Sequence, residues 1–364
     1  MKIAFYSPYL PDHFGGGEKY LLDTASVYAS KHQVAIALSQ DHVHEDLNTI
    51  KKKYEQFLGH GLGEIQFITT PLGTAGHKLS KLWWTKKYDL LYYVTDGSAF
   101  FSLAGKNIMH IQVPLTLSPR QGREKAKFKR FDVINTNSLF TKKVVEKYWG
   151  IKVDLVCHPG IDLESLQTRL VPKEKIILNV GRFFDNLHTK NQDVLVEIFR
   201  RLVSKNPELM AGWRLVLIGS VESATYLQRV QELAKGLPVE IITNASREQL
   251  LDYYARATIY WHATGCHDDE NAHQEKMEHF GISTVEAMAA GAVPVVVAKG
   301  GQKEILGNKL RELGWQTETE CVRLTKRLLK NDKLRCEYAE KVRVRAQKFD
   351  SEHFAKKCWQ MLEM

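Results

Sequence analysis

Cysteine and long apolar runs are scarce in this sequence of 364 residues. Its five cysteines are scattered and odd in number, and no two of them form a C-x-x-C pair. This pattern excludes a disulfide framework and favours reduced thiols in a cytoplasm. No apolar stretch approaches the roughly 20 residues of a membrane-spanning helix. The start, with one basic residue before a short apolar run, predicts a β-strand rather than a signal peptide.

Common catalytic signatures are also missing. The sequence has no G-x-S-x-G elbow, no zincin motif and no Cys–His signature, which excludes the hydrolase classes that these motifs define. The length suits two domains of similar size. The shares of hydrophobic residues (44%) and charged residues (26%) are those of a globular protein.

Two α/β halves follow one another along the chain. In each half short apolar strands alternate with longer helices, which predicts doubly wound parallel sheets. We predict a first Rossmann-like domain over residues 1–155, a linker over 156–174 and a second domain over 175–340. A helix over 341–364 is expected to cross back to the first domain. The carboxyl edges of two such sheets would face each other across a cleft.

Two carboxylates eight positions apart, Glu278 and Glu286, flank a glycine-containing loop and the start of a helix predicted over 284–290. The free N–H groups and the positive dipole end of this helix predict an anion site, typically for phosphate. Glu286 would accept two sugar hydroxyls, and Glu278 would reach what lies beyond the phosphate. A capping box from Ser283 to Glu286 explains the same spacing, so this motif alone leaves both interpretations open.

Three further features are predicted at the carboxyl edges of the sheets. Gly15-Gly16-Gly17 lets backbone approach a diphosphate, although turn chemistry explains it too, and neither G-x-G-x-x-G nor a Walker lysine is present. Arg182 follows a predicted buried strand, and Lys190 precedes the next predicted helix by one turn or less. The two cations are interpreted either as a diphosphate clamp or as ordinary loop charges. His110 ends a predicted apolar strand. It is interpreted either as a catalytic residue or as a buried core histidine.

Two polar stretches have less specific interpretations. The histidines, cysteine and aspartates of residues 262–273 match no standard zinc spacing, so residues 265–277 are predicted to be a mobile insertion beside the site, without a metal. The net charge of +9 is concentrated between residues 120 and 152. With Trp83-Trp84, this stripe predicts contact with an anionic membrane surface. A solvated helix face and buried packing of the tryptophans are the alternatives.

In combination these residues resemble the retaining, GT-B-fold glycosyltransferases of family 4, over nearly the whole chain. The stretch from Glu278 to Glu286 matches the family's E-x7-E motif, and the residues up to Gly291 continue it. One departure is that residues 265–277 are longer and more acidic than the loop usual before the first glutamate. Other elements also fall where the family places them: Gly15-Gly16-Gly17, Asn137-Ser138, His158-Pro159-Gly160, Gly181-Arg182, Lys190-Asn191 and Gly300-Gly301.

The resemblance implies a nucleotide-sugar site. Glu286 would hold the ribose hydroxyls of the nucleotide, and Arg182 and Lys190 its diphosphate. Gly16 and Gly17 would close on that diphosphate from the first domain. The resemblance also implies that no cofactor and no obligatory divalent metal are needed. The two cations would stabilise the charge of the departing nucleotide.

The resemblance also implies how the sugar is handled. Glu278 would contact the donor sugar beside the amides of Phe280, Gly281 and Ile282, and His110 would lie near donor sugar and acceptor. Together with Arg182 and Lys190, Glu278 and His110 form the predicted catalytic set. No second carboxylate is evident as a covalent nucleophile in the first domain, so the leaving diphosphate would take the proton of the acceptor.

The predicted function is therefore transfer of a hexose from a nucleotide sugar, such as a UDP- or GDP-hexose, to a lipid-linked or oligosaccharide acceptor. The expected location is the cytoplasm, with peripheral contact at the inner face of the membrane, and no nucleic acid partner is expected. A sugar-phosphate synthase or a nucleotide-sugar epimerase on the same fold is the alternative within enzymes. A non-catalytic protein that binds anionic ligands is the alternative outside them.

Overall fold

The computed structural model describes residues 1–11, 14–76, 78–115, 123–169, 171–186 and 189–364, with backbone only for 123–125. The chain divides into two compact units, one of Met1–Gly160 with Ser351–Met364 and one of Ile161–Asp350. Within the described part of the chain, each unit is built on one parallel sheet, of seven strands in the first and six in the second. The predicted α/β class is therefore confirmed.

The first sheet has the strand order β3-β2-β1-β4-β5-β6-β7, with every neighbouring pair parallel. The chain moves outward from β1 in one direction and then reverses between β1 and β4, which is the topological switch point of the sheet. Its strands are β1 (Lys2–Tyr6), β2 (Gln33–Ser39), β3 (Gln66–Thr70), β4 (Leu90–Thr95), β5 (Lys106–Ile111), β6 (Val133–Thr136) and β7 (Leu155–Val156).

Helices cover both faces of this sheet, so its central strands are nearly continuous apolar runs. Successive residues of β1 point to opposite faces: Ile3 and Phe5 pack into one core, and Ala4 and Tyr6 into the other. All six residues of β4 are buried. The helices are α1 (Gly16–Ala29), α2 (Leu47–Leu58), α3 (Lys78–Thr85), α4 (Arg123–Phe128), α5 (Leu139–Val144) and, from the end of the chain, α14 (Ser351–Glu363).

The second sheet has the order β10-β9-β8-β11-β12-β13, again with parallel neighbours, and its switch point lies between β8 and β11. Its strands are β8 (Ile176–Val180), β9 (Arg214–Gly219), β10 (Val239–Thr243), β11 (Ile259–His262), β12 (Val293–Val297) and β13 (Gly314–Trp315). Its helices are α6 (Leu163–Gln167), α7 (Gln192–Lys205), α8 (Ala224–Ala234), α9 (Arg247–Arg256), α10 (Ile282–Ala289), α11 (Gly301–Leu310), α12 (Glu318–Leu329) and α13 (Asp332–Ala346).

The C-terminal stretch, predicted as one helix over 341–364, consists of two helices that belong to different units. Residues 341–346 finish α13, a 3-10 turn follows, and α14 starts at Ser351. The break arises because Asp350 is extended and bridges to Ile161, whose N–H donates to the carbonyl of Phe349 at 2.8 Å. Likewise, the stretch predicted as a linker contains α6, and the units divide between Gly160 and Ile161.

Helix α14 packs into the core of the first unit. The Tyr28 hydroxyl donates to the Cys358 carbonyl at 2.8 Å. Phe354 is buried, and its ring centroid lies 5.4 Å from that of Tyr20. The approach to Gly160 is so close that a side chain there would place its Cβ 2.9 Å from the Cβ of Phe354. Glycine at position 160 therefore allows α14 to dock.

Replacing Phe354 with alanine is expected to lower the free energy of unfolding of the first unit by about 3–5 kcal/mol, because it removes a buried aromatic ring. Amide hydrogen exchange should accelerate in β1 and α1 and remain unchanged in Ile161–Asp350. Replacing the exposed Gln360 of the same helix with alanine should change stability by less than about 0.5 kcal/mol. Faster exchange confined to the second unit would contradict this packing.

Candidate functional site

The candidate site of the second unit lies at the carboxyl edge of its sheet, beside the switch point. Strand β8 ends at Val180 and continues into Gly181-Arg182, and β11 ends at His262. Parallel strands whose connections leave in opposite directions open a crevice at this edge, where ligands of α/β folds bind. Most of the residues predicted for donor binding are on the loops that leave it.

Glu278 is the centre of a buried ionic cluster. Its Oε2 lies 2.6 Å from Lys190 Nζ and 2.9 Å from His262 Nε2, and its side chain is 15% exposed. Burial alone would raise the pKa of Glu278, but the charge of Lys190 and the hydrogen bond from His262 outweigh it and hold that pKa well below its usual range. The structure thus brings together Glu278 and Lys190, two of the predicted catalytic residues.

His262 is a neutral partner in this cluster. Burial lowers the pKa of His262, and because an ionised carboxylate only accepts, the ring donates from Nε2 to Glu278. The other ring nitrogen, Nδ1, is buried and receives no hydrogen bond from the described residues.

The two predicted phosphate-binding cations are held differently. The aliphatic part of Lys190 lies against Gly181, where a side chain would place its Cβ 2.6 Å from Lys190 Cγ. Arg182 instead pairs with Glu222 at 2.6 Å, and its guanidinium lies 5.3 Å from the ring centroid of Phe184. Both cations therefore have a carboxylate partner within the unit.

The loop that carries Glu278 is fixed by a glycine pair. The N–H of Gly301 donates to the Glu278 carbonyl at 2.7 Å. A side chain at Gly301 would place its Cβ 2.5 Å from the His279 carbonyl oxygen and 2.6 Å from Phe280 Cα, and one at Gly300 would collide with the Glu278 carbonyl. Only glycine permits this approach of backbone to backbone, so the pair sets the position of the loop.

Helix α10 begins two residues earlier than the capping-box alternative requires, so that interpretation is wrong. Gly281 is the N-cap, with φ at +115°, and no side chain caps the helix. Glu286 consequently lies in the second turn and is 4% exposed. Its Oε1 is 2.7 Å from Arg247 Nη1 and its Oε2 is 2.9 Å from the Tyr254 hydroxyl. Backbone N–H groups of the first turn have no partner within the helix, as at any helix start.

The segment over residues 265–277 is tied to the glycine loop. Lys299 Nζ donates to the carbonyls of Gly265, Cys266 and Asp268 at 2.8–3.1 Å. Glu270 accepts from the Gly300 N–H at 2.8 Å. These contacts replace the predicted mobile insertion with an anchored one. In the described ranges, no group of three or more His, Cys, Asp and Glu side chains is placed to hold a metal ion.

The predicted residues of the first unit form their own cluster. Gly16 begins α1, and a side chain at Gly17 would place its Cβ 3.5 Å from Gln112 Cγ. His110 is fully buried, stacks on Tyr20 at 3.9 Å, and has Asn135 Oδ1 2.6 Å from Nδ1 and the Gln112 amide 2.8 Å from Nε2. Burial lowers the pKa of His110 to about 4. These are the contacts of a core histidine, and its role near the acceptor stays a prediction.

Sequence reasoning missed three side chains of the site. His262 was grouped with the polar loop, although it ends an apolar strand as His110 does, and the same edge argument applies to it. Arg247 and Tyr254 lie on α9, more than thirty positions before Glu286, and no local pattern links them to it. Only the tertiary packing of α9 beside α10 brings them to that carboxylate.

Comparison with protein families decides the relationship. The family model described as glycosyl transferases group 1 matches residues 161–345, half of the chain. The chain belongs to this family. Four of the predicted site residues lie within the matched range: Arg182, Lys190, Glu278 and Glu286. Gly16, Gly17 and His110 lie outside it.

Curated relatives of the group 1 chain match only in part. A protein from Neurospora crassa named GDP-Man:Man(3)GlcNAc(2)-PP-Dol alpha-1,2-mannosyltransferase is 28% identical over 201 residues, which cover 47% of this chain and 34% of that protein. The mouse protein of the same name is 29% identical over 186 residues, with coverage of 47% and 35%. The chain spans about a third of the length of these relatives.

Solved structures match the group 1 chain over its whole length. A glycosyltransferase from Rickettsia africae superposes with a TM-score of 0.74 at 16% identity, covering 99% of this chain and 97% of that one. Anabaena HepE, solved with UDP and glucose, superposes with a TM-score of 0.67 at 15% identity, covering 100% and 99%. The group 1 chain therefore has the GT-B fold, as predicted.

Replacing Glu278 with glutamine is expected to lower the free energy of unfolding of the second unit by about 3 kcal/mol at pH 7, because Lys190 keeps a largely buried charge without its partner. The folded-state pKa of Glu278 lies below its ordinary value of 4.5. The contribution of the pair is therefore fully present above about pH 4.5 and is lost as the pH falls through the folded-state value.

Urea unfolding of both proteins at pH 7 and near pH 3.5 measures this gap, which should narrow at the lower pH. Replacing Glu232, an exposed carboxylate paired with Lys235, with glutamine is the matched control and should change stability by less than about 0.5 kcal/mol. A gap of the same size at both pH values would show that the charge of Glu278 is not the source of the stabilisation.

Proposed function

We propose that this chain is a retaining glycosyltransferase that moves a hexose from a nucleotide sugar to a lipid-linked or glycan acceptor. The observation that carries the proposal is the Glu278–Lys190–His262 cluster, which lies beside the start of α10 in the unit that the family model matches. The names of the curated relatives support a nucleotide-sugar donor and a lipid-linked acceptor.

In this proposal Glu286 holds the ribose of the donor. Arg247 and Tyr254 each engage one oxygen of the carboxylate, which fixes its orientation. Each oxygen has a further lone pair, so two ribose hydroxyls have acceptors without displacing either partner. Because Glu286 is buried, these charge-assisted hydrogen bonds are stronger than they would be in water.

Lys190 and Arg182 hold the diphosphate. The ammonium of Lys190 has three N–H donors and uses one for Glu278, so it bridges the carboxylate and a phosphate oxygen. The amides of Phe280, Gly281 and Ile282 lie at the start of α10, where a developing negative charge is stabilised. With these cations and amides, the proposal needs no divalent metal.

The transfer itself exchanges one bond for another at the anomeric carbon. The acceptor hydroxyl oxygen forms a bond to that carbon as the bond to the diphosphate oxygen breaks, and the acceptor proton passes to the leaving diphosphate. Glu278, held ionised by Lys190 and His262, accepts a hydrogen bond from a hydroxyl of the donor sugar and thereby orients the sugar ring. Retention of configuration follows from attack on the face from which the diphosphate leaves.

The names of the relatives favour GDP-mannose as donor, and a panel with UDP-glucose and ADP-glucose tests this choice. GDP-mannose at about 100 times its Kd should stabilise the wild type by about 2.7 kcal/mol, which raises the melting temperature by several degrees. Replacing Glu286 with glutamine should weaken this binding by tenfold or more, measured against the variant's own ligand-free melting temperature.

Replacing the half-buried Glu240 of the same unit with glutamine is the control and should keep the full ligand-induced shift. A shift for UDP-glucose alone would change the donor and keep the enzyme class. If no nucleotide sugar shifts the wild type, the proposed function fails. Nuclear magnetic resonance of the product reports the anomeric configuration, and an inverted product would overturn retention.

Contact with a membrane is the second part of the proposal, and it concerns α3. Leu79 and Trp83, one turn apart on this helix, are 71% and 62% exposed. Phe101 and Leu103 are about half exposed, and the N–H of Leu103 donates to Thr85 at the end of α3. Trp84, the second tryptophan of the predicted pair, is buried. We call this set of Leu79, Trp83, Phe101 and Leu103 the α3 apolar patch.

Lysines surround the α3 apolar patch. Lys78, Lys86 and Lys87 are exposed, and Lys86 Nζ lies 5.0 Å from the ring centroid of Trp83. Exposed tryptophan and leucine ringed by lysine suit the headgroup region of an anionic bilayer. Of the basic stripe predicted over 120–152, residues 120–122 lie outside the described residues. No helix in the described chain is long and apolar enough to cross a bilayer.

Replacing Trp83 and Leu79 with serine is expected to reduce binding to vesicles of one-third phosphatidylserine by at least tenfold, because two apolar side chains no longer enter the interface. Co-sedimentation at low salt measures this loss. Val344, which is 63% exposed on α13, gives the matched control, and its replacement by serine should leave binding unchanged. Equal binding of all three proteins would exclude the α3 apolar patch as the docking surface.

A further inference from the structure

Two buried cysteines of the first unit lie against each other. Cys157 directly follows β7, and Cys358 lies within α14. Both side chains are fully buried in the core that α14 shares with α1 and β1. Both are free thiols, and they form a hydrogen bond with each other. Neither cysteine takes part in the proposed sugar transfer, so this pair of adjacent thiols calls for a role of its own.

The docking of α14 holds the two cysteines together. Phe354 lies one turn before Cys358 on the same face of the helix. It packs so closely on Gly160, on the segment that follows Cys157, that only glycine fits there. The Cys358 carbonyl accepts a hydrogen bond from the Tyr28 hydroxyl of α1 at 2.8 Å. The contact between the thiols is therefore set by backbone and packing on both sides of it.

The two thiols differ in acidity. The hydrogen bond from Cys358 lowers the pKa of Cys157, whereas burial raises the pKa of Cys358. The Tyr20 hydroxyl also forms a hydrogen bond with the Cys157 sulfur. Because the thiolate is the form that attacks an oxidant, Cys157 is the first thiol to react. Cys358 is then the neighbouring thiol that completes a disulfide.

The place of the two cysteines along the chain gives such a disulfide a mechanical consequence. The chain leaves the first unit after Gly160 and returns to it at Ser351. Cys157 lies just before the exit, and Cys358 lies just after the return. A bond between them would close a loop that contains the whole second unit and would tie α14 to the end of β7. Cross-links that close long loops stabilise the folded state most.

We propose that Cys157 and Cys358 form a reversible disulfide when the protein meets hydrogen peroxide, and that this bond locks α14 onto the first unit. The Cys157 thiolate attacks one peroxide oxygen, the O–O bond breaks, and the departing hydroxide takes up a proton to become water. The Cys358 sulfur then attacks the Cys157 sulfur and loses its proton. The S–S bond forms as hydroxide leaves with that proton as a second water. Two thiols are oxidised and one peroxide is reduced.

Opening of α14 controls both the reaction and its effect. Because both thiols are buried, peroxide reaches Cys157 when α14 opens locally, as a segment separate in sequence from the rest of its unit. Once formed, the disulfide prevents the helix from leaving. Amide hydrogen exchange in α14 should therefore slow on oxidation and recover on reduction. The inference does not depend on the proposed function, since neither donor nor acceptor takes part in it.

Peptide mapping of the full chain after treatment with hydrogen peroxide tests the proposal. Trypsin releases Cys157 in residues 153–169 and Cys358 in residues 358–364, and a disulfide joins these two peptides. We expect the joined peptide in the wild type after unfolding in an alkylating agent, and its loss after treatment with dithiothreitol. Exchange in α14 should slow by about tenfold or more, and the melting temperature should rise by several degrees.

Two serine variants provide the comparison. Replacing Cys358 with serine should abolish the joined peptide, the slower exchange and the rise in melting temperature. Cys336, the exposed cysteine of α13, gives the control, and its replacement by serine should leave all three unchanged. Mapping of the wild type decides the proposal even where a variant does not fold.

Two results would overturn the proposal. One is oxidation of Cys157 and Cys358 to separate sulfinic acids, with no joined peptide in the wild type. The other is a joined peptide that leaves the exchange of α14 and the melting temperature unchanged, because the disulfide would then lock nothing.

Discussion

The negative charge of a carboxylate that is removed from water must be compensated by cations or hydrogen-bond donors, and in the second unit this applies to Glu278. Its partners come from the loop before α7 and from the end of β11, so one charge ties three separate chain segments to the carboxyl edge of the sheet. Removing either partner would leave a charge or a donor stranded in a place of low dielectric constant. The Glu278–Lys190 ion pair therefore adds little net stability compared with an apolar pair of the same size, although removing one partner lowers stability. Its main effect is to fix the geometry of the site.

Glycines make that geometry possible. Lys190 reaches Glu278 across Gly181, and the Glu278 loop rests on Gly300-Gly301, in each case at distances that no Cβ allows. Gly219 serves the same purpose one strand away, where a side chain would collide with the Gly181 carbonyl. The site is thus shaped by missing side chains as much as by charged ones, which explains why glycine turns and cations occur together along this edge.

The sequence was most predictive where burial on two faces dictated the pattern. The predicted alternation of short apolar strands with longer helices is found in both units, and strand β9, whose four central residues are buried, is such an apolar run between turns. The two-residue strands β7 and β13 carry no such pattern. The capping-box interpretation at Ser283 was wrong, because no side chain caps α10. A capping box does form between Thr317 and Glu320 at the start of α12, and it was not predicted. The same four-residue spacing fits both, and only the backbone at Gly281 decides between them.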